Sequence, residues 1–224
     1  MQISTALPTA AIQAVFRRVM SEQQGEIIDL FDDGKRIYIR STVSLAYADV
    51  LPGDRFQGGV ALRANQGEIL LYPYMLRHVC TNGIIFAEAI TLRGNWDLRR
   101  SSRKDATPRL RKAVTECCAK NVFAAVIEYA RDAAGGETTI GIPHFLARLS
   151  ALELRYGQEI VQEFLDRLLG ARDRSPYGVM NAVTSLARDT EDPDLRWDLE
   201  VLGGEIATRT ADALRTRWRD AATG

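Results

Sequence analysis

Pro73-Tyr-Met-Leu-Arg-His-Val-Cys-Thr-Asn-Gly83 decides how the first half of this chain is read. Taken as a helix, the stretch has Pro73 at the first helical position, where its missing N–H is not needed. Gly83 after Asn82 then serves as the left-handed residue that closes the helix. Met75, Leu76 and Val79 fall at helical spacing, and Tyr74, Arg77, His78 and Thr81 line the other side. Taken as a strand, it has Met75, Arg77, Val79 and Thr81 on one face and Tyr74, Leu76, His78 and Cys80 on the other. Both strand faces are mixed, so the helical period fits better and the spacing predicts a short capped helix. Asn82-Gly83 between apolar residues is the competing signal, because that dipeptide also makes a hairpin turn.

On the N-terminal side of this stretch two periods appear. Residues 7–20 read as an amphipathic helix, with Ile12, Val15, Phe16 and Val19 on one face and Arg17 and Arg18 off it. From Glu26 to Tyr72 the period changes to two: Ile28 and Leu30, then Ile37 and Ile39, alternate with polar partners across the turn Asp32-Asp33-Gly34. A further strand is expected around Val43–Ala48, a turn at Leu51-Pro52-Gly53-Asp54, and a second hairpin from Phe56–Ala64 to Glu68–Tyr72 across Asn65-Gln66-Gly67. The apolar run Ile84–Leu92 has the length of a buried strand.

On the C-terminal side the pattern is helical. Thr107 as N-cap and Pro108 at the first position open a long helix to about Ala134, closed by Gly135-Gly136. Further helices are expected from Ile142-Pro143 to Leu154, from Gln158 to Leu169, from Ser175-Pro176, and from Asp192-Pro193 to near Arg219. Strands first and helices after predict an α+β fold. Its N-terminal half is mainly antiparallel strands with short helices, and its C-terminal half is a group of amphipathic helices packed on the sheet. With no repeat and no low-complexity linker, one compact domain over 1–224 is expected: strand-rich 21–92, a basic connector 93–106, and helical 107–220.

Composition bounds the function. The 224 residues are 46% hydrophobic and 26% charged, and 29 basic residues balance 29 acidic ones, so no global field favours nucleic acid. The 3 cysteines make no disulfide framework, and no apolar run has the length of a signal peptide or a membrane span. A cytoplasmic location, without membrane association, is the expectation.

Gly53-Asp54-Arg-Phe-Gln-Gly-Gly-Val60, then Ala64-Asn65-Gln-Gly67, then Pro73 to Gly83, run in an order that resembles the central block of the DUF932 family of phage- and plasmid-like proteins. That block carries a valine/leucine-Cys-Thr-Asn-Gly core after an apolar-arginine helix, matched here by Arg77, Val79, Cys80, Thr81, Asn82 and Gly83. A second anchor, Gly178-Val-Met-Asn181-Ala182-Val-Thr184, is similar to the family's later Gly…Asn-Ala-Val-Thr segment, with Arg196 and Glu200 following in register. The resemblance covers the region between residues 50 and 205. It implies a mobile-element or defence-neighbourhood context and no activity.

Two groups of residues are candidates for contact with a ligand. Arg77 and His78, with Tyr74 and Thr81 a turn away, form a face on which Arg would fork a phosphate and Tyr would stack a base. The plainer reading pairs Arg77 with a strand carboxylate and makes His78 a satisfied, semi-buried side chain. Between Arg93 and Lys112, the 8 cations Arg93, Arg99, Arg100, Arg103, Lys104, Arg109, Arg111 and Lys112 face only Asp97 and Asp105, with Trp96 among them. Such a segment suits backbone contact to single-stranded nucleic acid with a base on Trp96. Its plainer reading is a solvated connector, or one that pairs with the acidic Glu191–Asp194 segment of a second subunit.

Catalytic patterns are thin. His78 and His144 are the only histidines, and no Gly-x-Ser-x-Gly, Walker A or Gly-x-Gly-x-x-Gly sequence occurs. Cys80, Cys117 and Cys118 lack zinc-ligand spacing and read as small buried residues, and no cofactor is called for. Asp29, Asp32, Asp33 and Asp54 near strand ends would gather a Mg²⁺ only if the turns they fit equally well brought them together. Three readings result. The first is a non-enzymatic, mobile-element-associated protein that binds single-stranded nucleic acid. The second is a structural or homo-oligomeric interaction module using Leu195, Leu199, Leu202, Ile206 and Ala213 or another helical face. The third is a metal-dependent hydrolase.

Overall fold

A computed structural model of the chain describes residues 7–65, 68–87, 103–136 and 142–223. Helix α1 (Thr9–Glu22) opens it, followed by strands β1 (Gly25–Asp32), β2 (Arg36–Val43), β3 (Tyr47–Leu51), β4 (Asp54–Asn65), β5 (Glu68–Arg77) and β6 (Asn82–Ile85). Helices α2 (Arg103–Cys117), α3 (Lys120–Gly135), α4 (Ile142–Tyr156), α5 (Glu159–Gly170), α6 (Pro176–Arg188) and α7 (Pro193–Thr223) complete it. The strands form one antiparallel sheet in the order β1-β2-β4-β5-β6, with β3 paired to β4 off that path. The fold is α+β.

By its contacts the chain divides into two compact units. The first comprises Met1–Ala48, Phe56–Leu76 and Ala89–Ala124. Its core joins Ile12, Phe16 and Val19 of α1, as the spacing predicts, to Ile37 and Ile39 of β2, Val60 and Leu62 of β4, and Leu110 and Val114 of α2. The Asp32-Asp33-Gly34 turn forms where expected. Asp33 Oδ1 accepts the N–H groups of Lys35 and Arg36, and Gly34 takes a φ of 80° that costs glycine nothing. A register shift between Ile27 and Asp29 puts Asp29 opposite Arg40, whose buried Nη1 donates to it at 2.8 Å.

The second unit comprises Asp49–Arg55, Arg77–Glu88 and Ala125–Gly224. Its centre is α7, where Leu195, Leu199, Leu202 and Ile206 are buried, so the predicted apolar stripe is core. Helix α7 lies against α6 and β6. Gly204 makes that approach possible: a Cβ there would stand 2.0 Å from the Ile85 carbonyl oxygen. Ser175 caps α6 by accepting the Gly178 N–H at 3.2 Å, and Asp192 Oδ1 accepts the N–H groups of Asp194 and Leu195 ahead of α7, both as the Ser-Pro and Asp-Pro signals predict.

Four expectations need correction. The Pro73–Gly83 stretch is not a helix: it is the end of β5, a turn over His78–Thr81, and β6. Both faces of β5 are largely covered, with Pro73, Tyr74 and Met75 all buried in succession, so alternation of polar and apolar residues was never required of it. The positive φ of the turn falls on Thr81, at 55°, and not on Gly83, which is in β6. The helix assigned to Thr107–Ala134 starts earlier, at Arg103, encloses Pro108, and breaks at Cys118-Ala119 into α2 and α3, a break marked by neither glycine nor proline. The strand expected around Val43–Ala48 is a turn leading into β3. The apolar run from Ile84 is strand only to Ile85; residues 88–92 of it lie outside the described residues, as do Gln66 and Gly67 of the second hairpin turn.

Candidate functional site

Asp54 opens β4 directly after the Gly53 turn, and Arg77 closes β5. The two strand ends bring their side chains into a two-pronged pair: Arg77 Nε donates to Asp54 Oδ1 at 2.7 Å and Nη2 to Oδ2 at 2.6 Å. Tyr177, from the first turn of α6, donates its hydroxyl to the same Asp54 Oδ2 at 2.5 Å, and the Arg77 guanidinium stands 5.7 Å from its ring centroid. Burial disfavours the Arg77 charge, but the hydrogen bonds to Asp54 together with the fields of Tyr177, Cys80 and Asp54 outweigh it and hold the guanidinium above its ordinary pKa. Burial, reinforced by the bond to Asp54, pushes the Tyr177 phenol well up. Near pH 7 the arginine is therefore charged and the tyrosine protonated, and both donate to Asp54.

Along α6 the same face continues to the β5–β6 turn. Tyr177, Asn181, Thr184 and Arg188 recur at helical spacing, one turn or two apart. Asn82, only 1% exposed, directs its Nδ2 at Thr184 Oγ1 (3.4 Å) and the Asn181 carbonyl (3.5 Å). Arg188 Nη1 donates to the Cys80 carbonyl at 2.9 Å, and Arg77 Nη1 reaches Cys80 Sγ at 3.3 Å. The two stretches of sequence singled out as family-like, 99 residues apart at Asn82 and Asn181, therefore meet in one polar seam that fastens α6 to the strand ends.

The structure places the described candidate residues in three settings. Arg77, Cys80, Asn82, Gly83, Asn181 and Thr184 belong to this seam or its lining. His78 and Thr81 are exposed on the turn, where the His78 N–H donates to the Arg55 carbonyl at 2.9 Å. Arg93, Trp96, Arg99 and Arg100 lie outside the described residues. Arg103 and Lys104 begin α2, and Arg109 is exposed further along it. Of their neighbours, Arg111 donates to Glu22 at 2.6 Å and Lys112 stands 3.7 Å from Glu116.

The strand-end aspartates are engaged separately. Asp29 binds Arg40, Asp32 accepts the Gly34 N–H, Asp33 holds its own turn, and Asp54 holds Arg77. Among the described residues no three His, Cys, Asp or Glu side chains gather as metal ligands, and no helix is long and apolar enough to cross a membrane. Cys117 is buried; Cys118 is half-buried, and burial pushes its thiol up to about 12.

Sequence reasoning missed Tyr177 and Arg188. Their signal was present, since Tyr177, Asn181, Thr184 and Arg188 make a polar stripe on a helix whose start was correctly read from Ser175-Pro176. It missed the α4–α5 surface as well. There Leu146, Leu154, Leu165 and Leu169 are 54%, 90%, 39% and 69% exposed, on two helices clasped by the Phe145 and Phe164 rings at 5.2 Å. Compared with protein-family models, curated proteins and solved structures, the chain matches none of them.

Proposed function

We propose that this protein is a non-enzymatic interaction module that holds another protein chain through the exposed face of α4 and α5. The observation that carries the reading is the set of four exposed leucines on that helix pair. Apolar side chains this large, this exposed and this close in sequence mark contact surfaces. The strand-end residues support it from the other side, because Asp54, Arg77 and Tyr177 spend their hydrogen bonds on one another. The DUF932 resemblance would set such a module in a mobile element.

A photo-crosslinking residue placed at position 154 or 169, with position 109 as control, tests this. Protein adducts concentrated at 154 and 169 are the expected result; adducts no more frequent than at 109 refute it. The single-strand nucleic-acid reading is the competitor, resting on Arg77, His78 and the basic segment Arg93–Lys112. Anisotropy of a labelled single strand decides between them. Binding that exceeds a neutral control protein and weakens steeply with salt would replace the interaction reading with that one.

A further inference from the structure

We infer that the α4–α5 pair is a hinged flap, latched to α6 and α7 by its own cations on their carboxylates and able to leave them while they stay folded. The flap is independent of what the outer leucines meet. The first reason is how little of the pair is buried. Of the 12 residues of α5, Phe164 alone is buried, and the buried side chains among the described residues of α4 are Phe145, Leu149 and Leu152. Phe145 and Phe164 spend part of that burial on each other, their rings 5.2 Å apart. By contrast, α6 buries nine of its 13 residues, and α7 buries every residue from Leu195 to Ala211 except Arg196, Asp198 and Arg209. Elements with few buried apolar side chains open at lower free energy than the core they rest on.

The second reason is the chemistry of the attachment. Five hydrogen bonds run from the pair to α6 and α7, and in each of them the pair donates. Arg148 Nε reaches Glu205 Oε2 at 2.9 Å, and Arg155 Nη1 and the Tyr156 hydroxyl share Asp198 Oδ2 at 2.7 and 2.8 Å. Arg167 Nη1 donates to Ser185 Oγ and to Asp189 Oδ2, both at 2.8 Å. In these ties the three cations sit on the flap and the three carboxylates on the helices that receive it. The side chains of Arg148, Arg155 and Arg167 are 40%, 52% and 27% exposed, so water and salt reach every pair and each contributes little alone. Whatever screens one pair screens all three, and the latch lets go as a unit. Gly157, at a φ of 101°, turns α4 into α5, and Ala171 leaves α5 in extended conformation, which gives the pair a hinge at its C-terminal end.

Native-state hydrogen exchange of the full chain, read on peptides by mass spectrometry, tests this. Amides of α4 and α5 are expected to exchange about a hundredfold faster than those of α7 between Leu195 and Ala211. Arg155→Met and Arg167→Met, one on each helix, are each expected to speed exchange in both helices by about threefold and to leave α7 unchanged. Raising sodium chloride from ~0.05 to ~0.5 M is expected to do the same in the unaltered chain, so the test does not hang on how the variants fold. Leu154→Gln, outside the latch, is expected to change neither helix.

Exchange in α4 and α5 as slow as in α7 overturns the flap. A response confined to the helix that carries the substitution overturns its movement as one piece. Rates indifferent to salt and to both arginine changes overturn the charged latch. Crosslinking at positions 154 and 169 is read separately, and its failure refutes the interaction reading while leaving the flap standing.

Discussion

Replacing Arg77 by methionine asks whether this guanidinium is an internal strut or a contact for an outside anion. Its side chain is 18% exposed and that of Asp54 10%, so both partners are largely withdrawn from water. Removing Arg77 takes two charge-assisted hydrogen bonds from Asp54 and leaves the carboxylate with the Tyr177 hydroxyl. Breaking one side of a buried pair costs about 3–5 kcal/mol, and the residual access of water here places the expected loss near the lower end, at about 3 kcal/mol. Asp54→Asn should cost a similar amount, because it strands the guanidinium instead. Tyr177→Phe should cost about 1 kcal/mol, the net contribution of one hydrogen bond whose acceptor keeps other donors. The pair Arg77→Met/Asp54→Leu should cost well under the sum of the single changes, with a coupling of about 2 kcal/mol. Urea unfolding followed by the buried Trp197 of α7, with Trp96 and Trp218 changed to Phe, reads this in the unit that holds the pair. A loss under about 1 kcal/mol for Arg77→Met, or full additivity in the double variant, would refute the strut and return Arg77 to the list of free contacts.

Gly204→Ala should destabilise by about 2–3 kcal/mol, because the new Cβ would stand 2.0 Å from the Ile85 carbonyl oxygen and backbone, not a flexible side chain, must yield. Gly170→Ala, with nothing within 4 Å, is the matched control and should be neutral or slightly stabilising in the same urea titration. Thr81→Asn should stabilise by about 0.5–1 kcal/mol, since Asn tolerates the φ of 55° that a β-branched residue adopts under strain; an unchanged midpoint would mean the turn relaxes freely. Two carboxyls are held below their ordinary value of 3.8, at about 2: Asp33 by the N–H groups of Arg36 and Lys35, and Asp189 by Arg188 and then Arg167. Lowered pKa values contribute stability above 3.8 that is lost as pH falls through about 2, so Asp33→Asn and Asp189→Asn should each flatten the acid limb of a circular-dichroism titration.

Much of the fold was legible where the local chemistry was decisive. The face Ile12-Phe16-Val19, the turn Asp32-Asp33-Gly34 and the starts at Ser175-Pro176 and Asp192-Pro193 each have one physically favoured outcome, and the structure shows it. Pro73–Gly83 was misread because a period test assumes one wet face, whereas Tyr74 and Met75 on opposite faces of β5 are both buried. The Cys118-Ala119 break could not be read, since neither residue stops a helix by its own chemistry. Within the site, Arg77, Asn82, Asn181 and Thr184 stood out as residues but not as partners. Which carboxylate meets Arg77, and which side of α6 meets Asn82, depends on chain separations of 23 and 102 residues that no local pattern encodes.

The polar seam and the exposed leucines bear on function in opposite directions, and magnitude decides between them. Asp54 accepts from Arg77 and Tyr177, so a ligand at this place would first have to displace bonds of 2.6–2.7 Å between opposite charges and one of 2.5 Å from a phenol. Outside, Leu154 and Leu169 already stand in water, and covering them displaces nothing. Fully burying an exposed leucine contributes about 1.5–3 kcal/mol, so the exposed parts of the four leucines and a matching apolar surface on the partner supply on the order of 10 kcal/mol. Ordering two chains into one complex costs about 4–15 kcal/mol, which cancels most of that gain. Apolar contact alone therefore yields a weak complex, in which the leucines supply the net affinity. It follows that added salt should leave the complex intact, because screening acts on charges and not on the leucines; a complex that dissociates steeply as salt rises to ~0.5 M would mean that charges carry the contact, and the leucine surface would fall.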